Sequence, residues 1–470
     1  MSTKQVSSIK ANFAYKSLLT ISTYIMGFIT FPYVSRIFGA EKLGLVSFVD
    51  NTISYFLLFA TMGISNIGVR EIASVRNDQE KLNRTFSNLL GVNLLFTLAT
   101  LAVYLSFVNF VPHMKQNVDM FYVGVAKILF SSLLLEWLFS GMENFRYITT
   151  RSVFIKVLYV IAVFVFIRRP DQYKLYFYFS IIVVVLNGII NFIYSRKYIR
   201  INFRELFNFK YFKSNIKLGI YNIMTSMYLT FNVMYLGLVC DNTQVGYYSA
   251  AFKMYSVILG LFTAFTSIML PRMSSILAEG DRSHFCAMIN KSYKGVSTLS
   301  IPLVLCSVIM APQIIRVICG SGYEAAVLPM RIIMPAILFV GIAQILAIQA
   351  LMPMRKDNVL LSASIVGAII SVVVNILFVD SLGAVGSAMV LICAEGIVTM
   401  IYMFYTARKD IIHLPYMELV RVLLKTLPLV AVCLLCCIYI SDDFISLSVA
   451  VVISLVVWVL LNINFIKSLR

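Results

Sequence analysis

The sequence predicts an all-α integral membrane protein with about fourteen transmembrane helices. Of its 470 residues, 60% are hydrophobic and only 13% are charged, whereas soluble domains are about half apolar and about a quarter charged. The mean hydropathy is +0.88. Apolar segments also recur along the whole chain, and each is close to the roughly 20 residues that a helix needs to cross a bilayer. A chain of this composition is stable with lipid, not water, around it.

Each predicted span is an apolar segment bounded by polar or charged residues. The connection at Pro170 is very short. The fourteen segments are 13–35, 44–64, 86–108, 118–139, 152–168, 175–195, 214–238, 246–270, 294–318, 326–350, 359–379, 384–406, 419–440 and 443–466.

The charge distribution predicts the orientation in the membrane. The chain has 39 Lys and Arg against 21 Asp and Glu, a net charge of +18. With the N-terminus in the cytoplasm, and with residues near the ends of spans counted with the adjoining loop, the inside segments hold 28 of the 39 basic residues, the outside loops hold seven, and four lie deeper within spans. This asymmetry follows the positive-inside rule and predicts that both termini are cytoplasmic. Because the basic residues lie in short gaps between apolar segments, they do not indicate a nucleic-acid partner.

A weak internal repeat predicts the domain organisation. A shift of 202 residues aligns 44–47 with 246–249 and Arg70 with Arg272. Two halves of six spans each have the same topology, so a parallel pseudo-twofold axis along the membrane normal would relate them. The predicted parts are an N-terminal lobe at 1–195, a basic cytoplasmic linker at 196–213, a C-terminal lobe at 214–406, and two additional C-terminal helices at 419–466.

Charged and polar residues within spans are the candidate substrate-binding positions. A lysine at the bilayer centre costs roughly 2.5–3.5 kcal/mol on insertion scales, so it normally faces protein or water. Lys253 and Lys127 are therefore the first candidates for binding an anionic group; the alternative is an internal ion pair with Asp50 or Glu395. Polar residues also recur along single helix faces. The full predicted cavity set is Lys253, Lys127, Asp50, Asn51, Asn222, Lys16 and Glu395.

The sequence carries no enzyme signature, and we expect neither a metal nor a cofactor. The three histidines lie far apart in loops, and Cys433, Cys436 and Cys437 have no His or carboxylate nearby in the sequence. A Gly-rich phosphate loop and a GxSxG nucleophile motif are both absent from the sequence. A transporter driven by an ion gradient, the membrane potential or the substrate gradient is the remaining interpretation.

Several short motifs resemble those of a known family. They are FPYVSRIFGAEKLGLVSF at 31–48, YFLLFATMGISNIGVREIA at 55–73, YYSAAFKMY at 247–255, Pro271-Arg272, and LGAVGSAMVLICAEG at 382–396. Their order resembles that of bacterial polysaccharide flippases, which translocate O-antigen and capsule repeat units. These flippases share a superfamily with lipid II flippases and with multidrug and toxin extruders.

The resemblance implies a two-lobed bundle in the bacterial inner membrane with a cationic central cavity. The expected substrate is an undecaprenyl-pyrophosphate-linked oligosaccharide, carried to the periplasmic leaflet by alternating access. The expected partners are this polyprenyl pyrophosphate, membrane lipids, and the polysaccharide polymerase and chain-length proteins. Lys253 lies in a matching motif, Glu395 matches a family position, and Arg70 and Arg272 match positions that we assign to a cytoplasmic gate or to topology.

Two alternatives stay open on the sequence alone. A multidrug exporter coupled to H⁺ or Na⁺ would favour an acidic cavity, which Asp50 and Glu395 permit and the two lysines oppose. A membrane polysaccharide polymerase or glycosyltransferase would need a large extracytoplasmic loop, and the predicted outside loops are short.

Overall fold

Helices account for nearly all of the structure. The computed structural model describes residues 9–208 and 210–463, and no β-strand occurs within these ranges. Eleven helical segments in this described part are long and apolar enough to cross a membrane. The predicted all-α membrane fold is therefore confirmed.

The first of these helical segments contains two predicted spans. Helix α1 runs from Ile9 to Thr61, but Gly39 inside it has φ 71° and ψ 176°. Only glycine adopts such a backbone conformation without steric cost, so the helix breaks there. Predicted spans seven and eight correspond to helical residues 212–239 and to Asn242–Ala278. With these additions, each predicted span overlaps a described helical region, which agrees with a count of about fourteen; residues 464–466 of the last predicted span lie outside the described residues.

Close Cα packing groups the helices into two compact units. Unit 1 comprises Lys42–Asn242 with the described part of Met1–Thr30. Its core includes Trp137, stacked on Phe86 with ring centroids 5.4 Å apart. A Cβ on Gly68 would lie 2.7 Å from the Trp137 indole, so glycine is what lets these helices approach. Its further helices are α2 (Ile64–Val75), α3 (Gln79–Phe110), α4 (Pro112–Lys115), α5 (Val118–Ser131), α6 (Glu136–Gly141), α7 (Phe145–Phe166), α8 (Tyr173–Ser195), α9 (Phe203–Leu206), α10 (Phe212–Ser226) and α11 (Asn232–Val239).

Unit 2 comprises Phe31–Glu41 and the described residues from Thr243 onward. A Cβ on Gly246 would lie 2.0 Å from the carbonyl oxygen of Ala40, so residues 31–41 of α1 lie directly against the helix that carries Gly246. The helices of unit 2 are α12 (Asn242–Ala278), α13 (Arg282–Ile309), α14 (Ala311–Cys319), α15 (Val327–Ile333), α16 (Ala336–Gln344), α17 (Asp357–Val374), α18 (Asp380–Leu382), α19 (Ala384–Arg408), α20 (Met417–Tyr439) and α21 (Asp443–Leu461).

The two units group some residues differently from the predicted lobes. Residues 31–41 pack with unit 2, and residues 214–242 pack with unit 1. The last two helices belong to unit 2, where α20 packs on α13 and α21 packs on α14. The pseudo-twofold repeat and the lobe boundaries stay predictions.

Three spans contain a π-helical segment, at Met227–Phe231, Ile345–Leu351 and Asn375–Val379. A π-bulge adds one residue to a turn and is frequent at functional sites. Gln349 lies in the second segment and Asn375 in the third, and both are fully buried. These bulges direct amide side chains into the interior of unit 2.

Candidate functional site

An ion pair inside unit 1 joins two of the predicted cavity residues. Lys127 Nζ on α5 donates a hydrogen bond to Asp50 Oδ1 on α1, at 2.6 Å. Ser54 lies one turn beyond Asp50, and its Oγ is 3.4 Å from the same ammonium. The Lys127 side chain is 12% exposed, and that of Asp50 is 39% exposed. The pair therefore neutralises a buried lysine while leaving part of the carboxylate accessible.

Two tyrosines that were not predicted lie in the neighbourhood of Asp50. The rings of Tyr159 on α7 and Tyr176 on α8 have centroids 6.3 Å apart. Both phenols lie within electrostatic range of Asp50. The ion pair and the phenols form a polar group that can exchange hydrogen bonds with a hydroxyl-rich ligand.

The two predicted asparagines of unit 1 form hydrogen bonds to main-chain carbonyls. Asn51 Nδ2 donates to the carbonyl of Ser47 at 2.8 Å, within the same helix. Asn222 Nδ2 donates to the carbonyl of Met62 at 3.3 Å. Met62 has a positive φ of 39°, so Asn222 stabilises the irregular end of α1.

Lys253 is a cation in unit 2 that has no ion-pair partner among the described residues. It lies on α12, and its Nζ is 5.8 Å from the ring centroid of Phe31. A cation over an aromatic face is stabilised by roughly 0.5–2 kcal/mol, without its charge being neutralised. No carboxylate of the described residues thus neutralises this ammonium, and it can attract an anion.

Glu395 is the second isolated charge-bearing residue of unit 2. It lies on α19 and is 7% exposed. Its main-chain carbonyl accepts a hydrogen bond from Thr399 Oγ1 at 2.7 Å, and its carboxyl group forms no ion pair in the described part of the chain. The predicted pairing of a buried lysine with Asp50 therefore occurs for Lys127, whereas Lys253 and Glu395 form no ion pair within the described part of the chain.

The other predicted residues lie outside these contacts. The Lys16 side chain is not among those that the structure describes. Arg70 on α2 is 65% exposed and forms a 2.9 Å ion pair with the adjacent Glu71. Arg272 on α12 is exposed. Both arginines lie at accessible positions, and their gating role stays a prediction.

Further buried polar contacts were not predicted. Thr266 Oγ1 in α12 donates to Gln344 Oε1 at 3.0 Å, and Gln344 Nε2 lies 3.1 Å from Thr263 Oγ1. Neither amide atom of Gln349 has a hydrogen-bond partner among the described residues. A glutamine inside the apolar run GIAQILAIQAL is the sequence signal that could have identified both positions.

Residues 9–277, more than half of the chain, match the protein family described as "Polysaccharide biosynthesis protein". The chain belongs to this family. The predicted resemblance is thereby confirmed.

Relatives in this family cover nearly all of the chain. The chain is 22% identical to a "Putative O-antigen transporter" of Escherichia coli strain K12, over 86% of this chain and 98% of the relative. It is 24% identical to a protein of the same name from Shigella dysenteriae, over 83% and 98% of the two chains.

Solved structures of membrane transporters have the same fold. A lipid II flippase, MurJ, in an inward closed conformation matches with a TM-score of 0.74 at 16% identity, over 96% of this chain and 100% of that chain. An inward-facing multidrug resistance transporter of the MATE family matches with a TM-score of 0.57 at 12% identity, over 87% and 96%. At these identities the similarity shows the fold alone. Together with the family, it supports the prediction that this polysaccharide biosynthesis protein is a flippase-type transporter and not an enzyme.

Proposed function

We propose that this protein carries undecaprenyl-pyrophosphate-linked oligosaccharide repeat units from the cytoplasmic to the periplasmic leaflet by alternating access. Membership of the polysaccharide biosynthesis family supports the cargo class. Both relatives named "Putative O-antigen transporter" are covered over 98% of their length, which supports a transporter of that type. The protein would lie in the bacterial inner membrane with both termini cytoplasmic, and would act beside the polysaccharide polymerase and chain-length proteins.

The observation that carries this proposal is the unpaired ammonium of Lys253. An ionisable residue within a membrane span normally has a functional role, because its burial is costly. Phe31 stabilises the ammonium but does not supply a negative charge. A lysine is a compact point charge that suits a phosphate group, so the pyrophosphate of the lipid-linked substrate is a fitting counter-ion.

The polar residues of unit 1 suit the sugar part of this substrate. Asp50 is partly exposed and can accept hydrogen bonds from sugar hydroxyls, while Lys127 holds it in position. Asn51 and Asn222 would line the same polar region. Lys16 and Glu395 would be further cavity residues. Arg70 and Arg272 would contribute to the cytoplasmic gate.

A multidrug exporter coupled to H⁺ or Na⁺ remains the second candidate because of Glu395. This carboxyl is buried and forms no ion pair among the described residues, which suits a site that binds a proton or a small cation. Such an exporter would depend on Glu395 and would tolerate the loss of Lys253.

A complementation experiment distinguishes the two candidates. Lys253→Ala, Lys253→Arg and Glu395→Gln would be expressed in a strain that lacks the native protein, with Lys197→Ala as a surface control and with membrane abundance measured for each. We expect Lys253→Ala to abolish surface polysaccharide and to accumulate the lipid-linked intermediate, with partial recovery in Lys253→Arg. Normal polysaccharide in Lys253→Ala, together with drug efflux that requires Glu395, would support the exporter instead.

A further inference from the structure

A basic cavity lies at one end of unit 2, where α12 and α19 end and α13 and α17 begin. Its volume is about 590 Å³. Arg282, Lys356 and Lys409 line it together with apolar residues that include Leu277 and Phe285, and none of the described lining residues is acidic. The positive-inside distribution predicts that this end is cytoplasmic.

A second cavity of about 480 Å³ adjoins the first, since Tyr405 and Lys409 line both. It adds Arg408 to the basic residues and extends along α17 and α19 past Ile401 and Phe404. The Phe404 side chain is 66% exposed. The two cavities together therefore join a group of cations to an apolar surface that faces the bilayer.

Three acidic residues close to this region form other contacts, whereas Asp357, the first residue of α17, forms no ion pair among the described residues. Asp281 accepts a hydrogen bond from the backbone N–H of His284 at 2.8 Å. Asp410 lies 2.6 Å from His413, and Glu279 accepts from Ser275 Oγ at 3.0 Å.

The basic side chains of the cavities form no ion pair among the described residues. Arg282 Nη2 donates to the carbonyl oxygen of Asp410 at 2.8 Å, which fixes the guanidinium while leaving other N–H groups available. Arg408 lies over the Phe404 ring at 5.9 Å, a contact that supplies no negative charge.

We propose that the two adjoining cavities bind an anionic phospholipid. Arg282, Lys356, Arg408 and Lys409 would hold the phosphate and headgroup, and one acyl chain would lie against Ile401 and Phe404 between α17 and α19. Basic pockets between transmembrane helices on the cytoplasmic side are suited to anionic headgroups. The positive-inside rule requires only that the loop contain basic residues, whereas here four cations line two adjoining cavities that continue into an apolar surface. A soluble phosphate would make no use of that surface.

Lipid binding to the purified full-length chain tests this inference. Dioleoylphosphatidylglycerol would be titrated in non-ionic detergent and the bound lipid counted by native mass spectrometry, with dioleoylphosphatidylcholine for comparison. Lys356→Gln/Lys409→Gln removes two charges from the cavity. Lys197→Gln/Arg200→Gln removes two exposed charges from another predicted cytoplasmic loop and is the matched control. Ser362→Trp fills the apolar part of the second cavity, which Ser362 lines.

The expected result is that phosphatidylglycerol binds more tightly than phosphatidylcholine. Each cation removed should lower the affinity for phosphatidylglycerol about fivefold, so the cavity double variant should bind this lipid about 30-fold more weakly. The control double variant should bind it as the native chain does. Ser362→Trp should also weaken binding. Equal losses in the two double variants would overturn the inference, because net charge alone would then explain the binding. Full displacement by inorganic phosphate, with no effect of Ser362→Trp, would overturn it in favour of a simple phosphate site.

Discussion

The ion pair between Asp50 and Lys127 should be a measurable source of stability in unit 1. Removing one partner of a fully buried pair costs about 3–5 kcal/mol, whereas an exposed pair contributes about 0–1 kcal/mol. The Lys127 side chain is 12% exposed and the Asp50 side chain is 39% exposed, so this pair lies between the two limits. We therefore expect Lys127→Met or Asp50→Asn alone to lower the free energy of unfolding by about 2 kcal/mol. For a unit of this size, that loss corresponds to a fall in Tm of roughly 4–8 °C.

A double-mutant cycle measures this interaction. Asp50→Asn, Lys127→Met and the double variant would be purified in the same detergent, and their Tm values determined by differential scanning fluorimetry. The double variant should be more stable than the sum of the single losses predicts, because it leaves no uncompensated buried charge. Asp171→Asn is the control, since Asp171 and Arg169 form a 3.5 Å pair in which both side chains are at least 65% exposed. Strictly additive losses in the cycle would refute the interpretation of a coupled buried pair.

Two further predictions concern other polar contacts of unit 1. Hydrogen bonding from the Lys81 backbone N–H, and then from the Lys81 side chain, lowers the pKa of Asp78, which caps α3. The stability that this cap contributes should be present above the ordinary carboxyl pKa and should be lost as the pH falls through the lowered pKa of Asp78. Over that fall in pH, amide hydrogen exchange in the first turn of α3, corrected for the intrinsic exchange rate, should become faster. The Asp78→Asn variant should show no such pH dependence. In the ion pair between Glu136 and Arg151, the Arg151 side chain is 6% exposed and the Glu136 side chain is 52% exposed. Glu136→Gln leaves a buried charge without its partner and should destabilise the protein by about 2–3 kcal/mol, whereas Arg151→Met leaves an exposed carboxylate and should cost only about 1 kcal/mol. A lower Tm for Arg151→Met than for Glu136→Gln would contradict this prediction.

The sequence predicted the fold well because the hydrocarbon thickness of a bilayer sets the length of every span. Each apolar segment had to become a helix, since backbone groups in lipid must form their hydrogen bonds internally. The break at Gly39 and the π-helical segments were not predicted, because they alter the backbone without altering the apolar pattern. The grouping of residues 31–41 with unit 2 depends on long-range packing, such as the contact of Gly246 with Ala40, which no local pattern encodes.

The site was predicted less completely than the fold. The cost of burying a charge selected Lys127 and Lys253 as candidate residues, but it could not show which of them has a partner. The partner depends on which helix faces lie together, and Lys127 meets Asp50 across 77 residues of sequence. Tyr159 and Tyr176 were missed because tyrosine in an apolar span resembles an ordinary core residue.

A reconstituted flipping assay tests the central claim most directly. The native chain and Lys253→Ala would be incorporated into proteoliposomes that contain a fluorescent undecaprenyl-pyrophosphate oligosaccharide, and transfer between leaflets followed by loss of accessibility to a quencher. We predict transfer by the native chain and a loss of at least about tenfold in Lys253→Ala, the factor that about 1.4 kcal/mol of lost anion binding produces. Absence of transfer by a correctly folded native chain, or equal rates in the two proteins, would contradict the account.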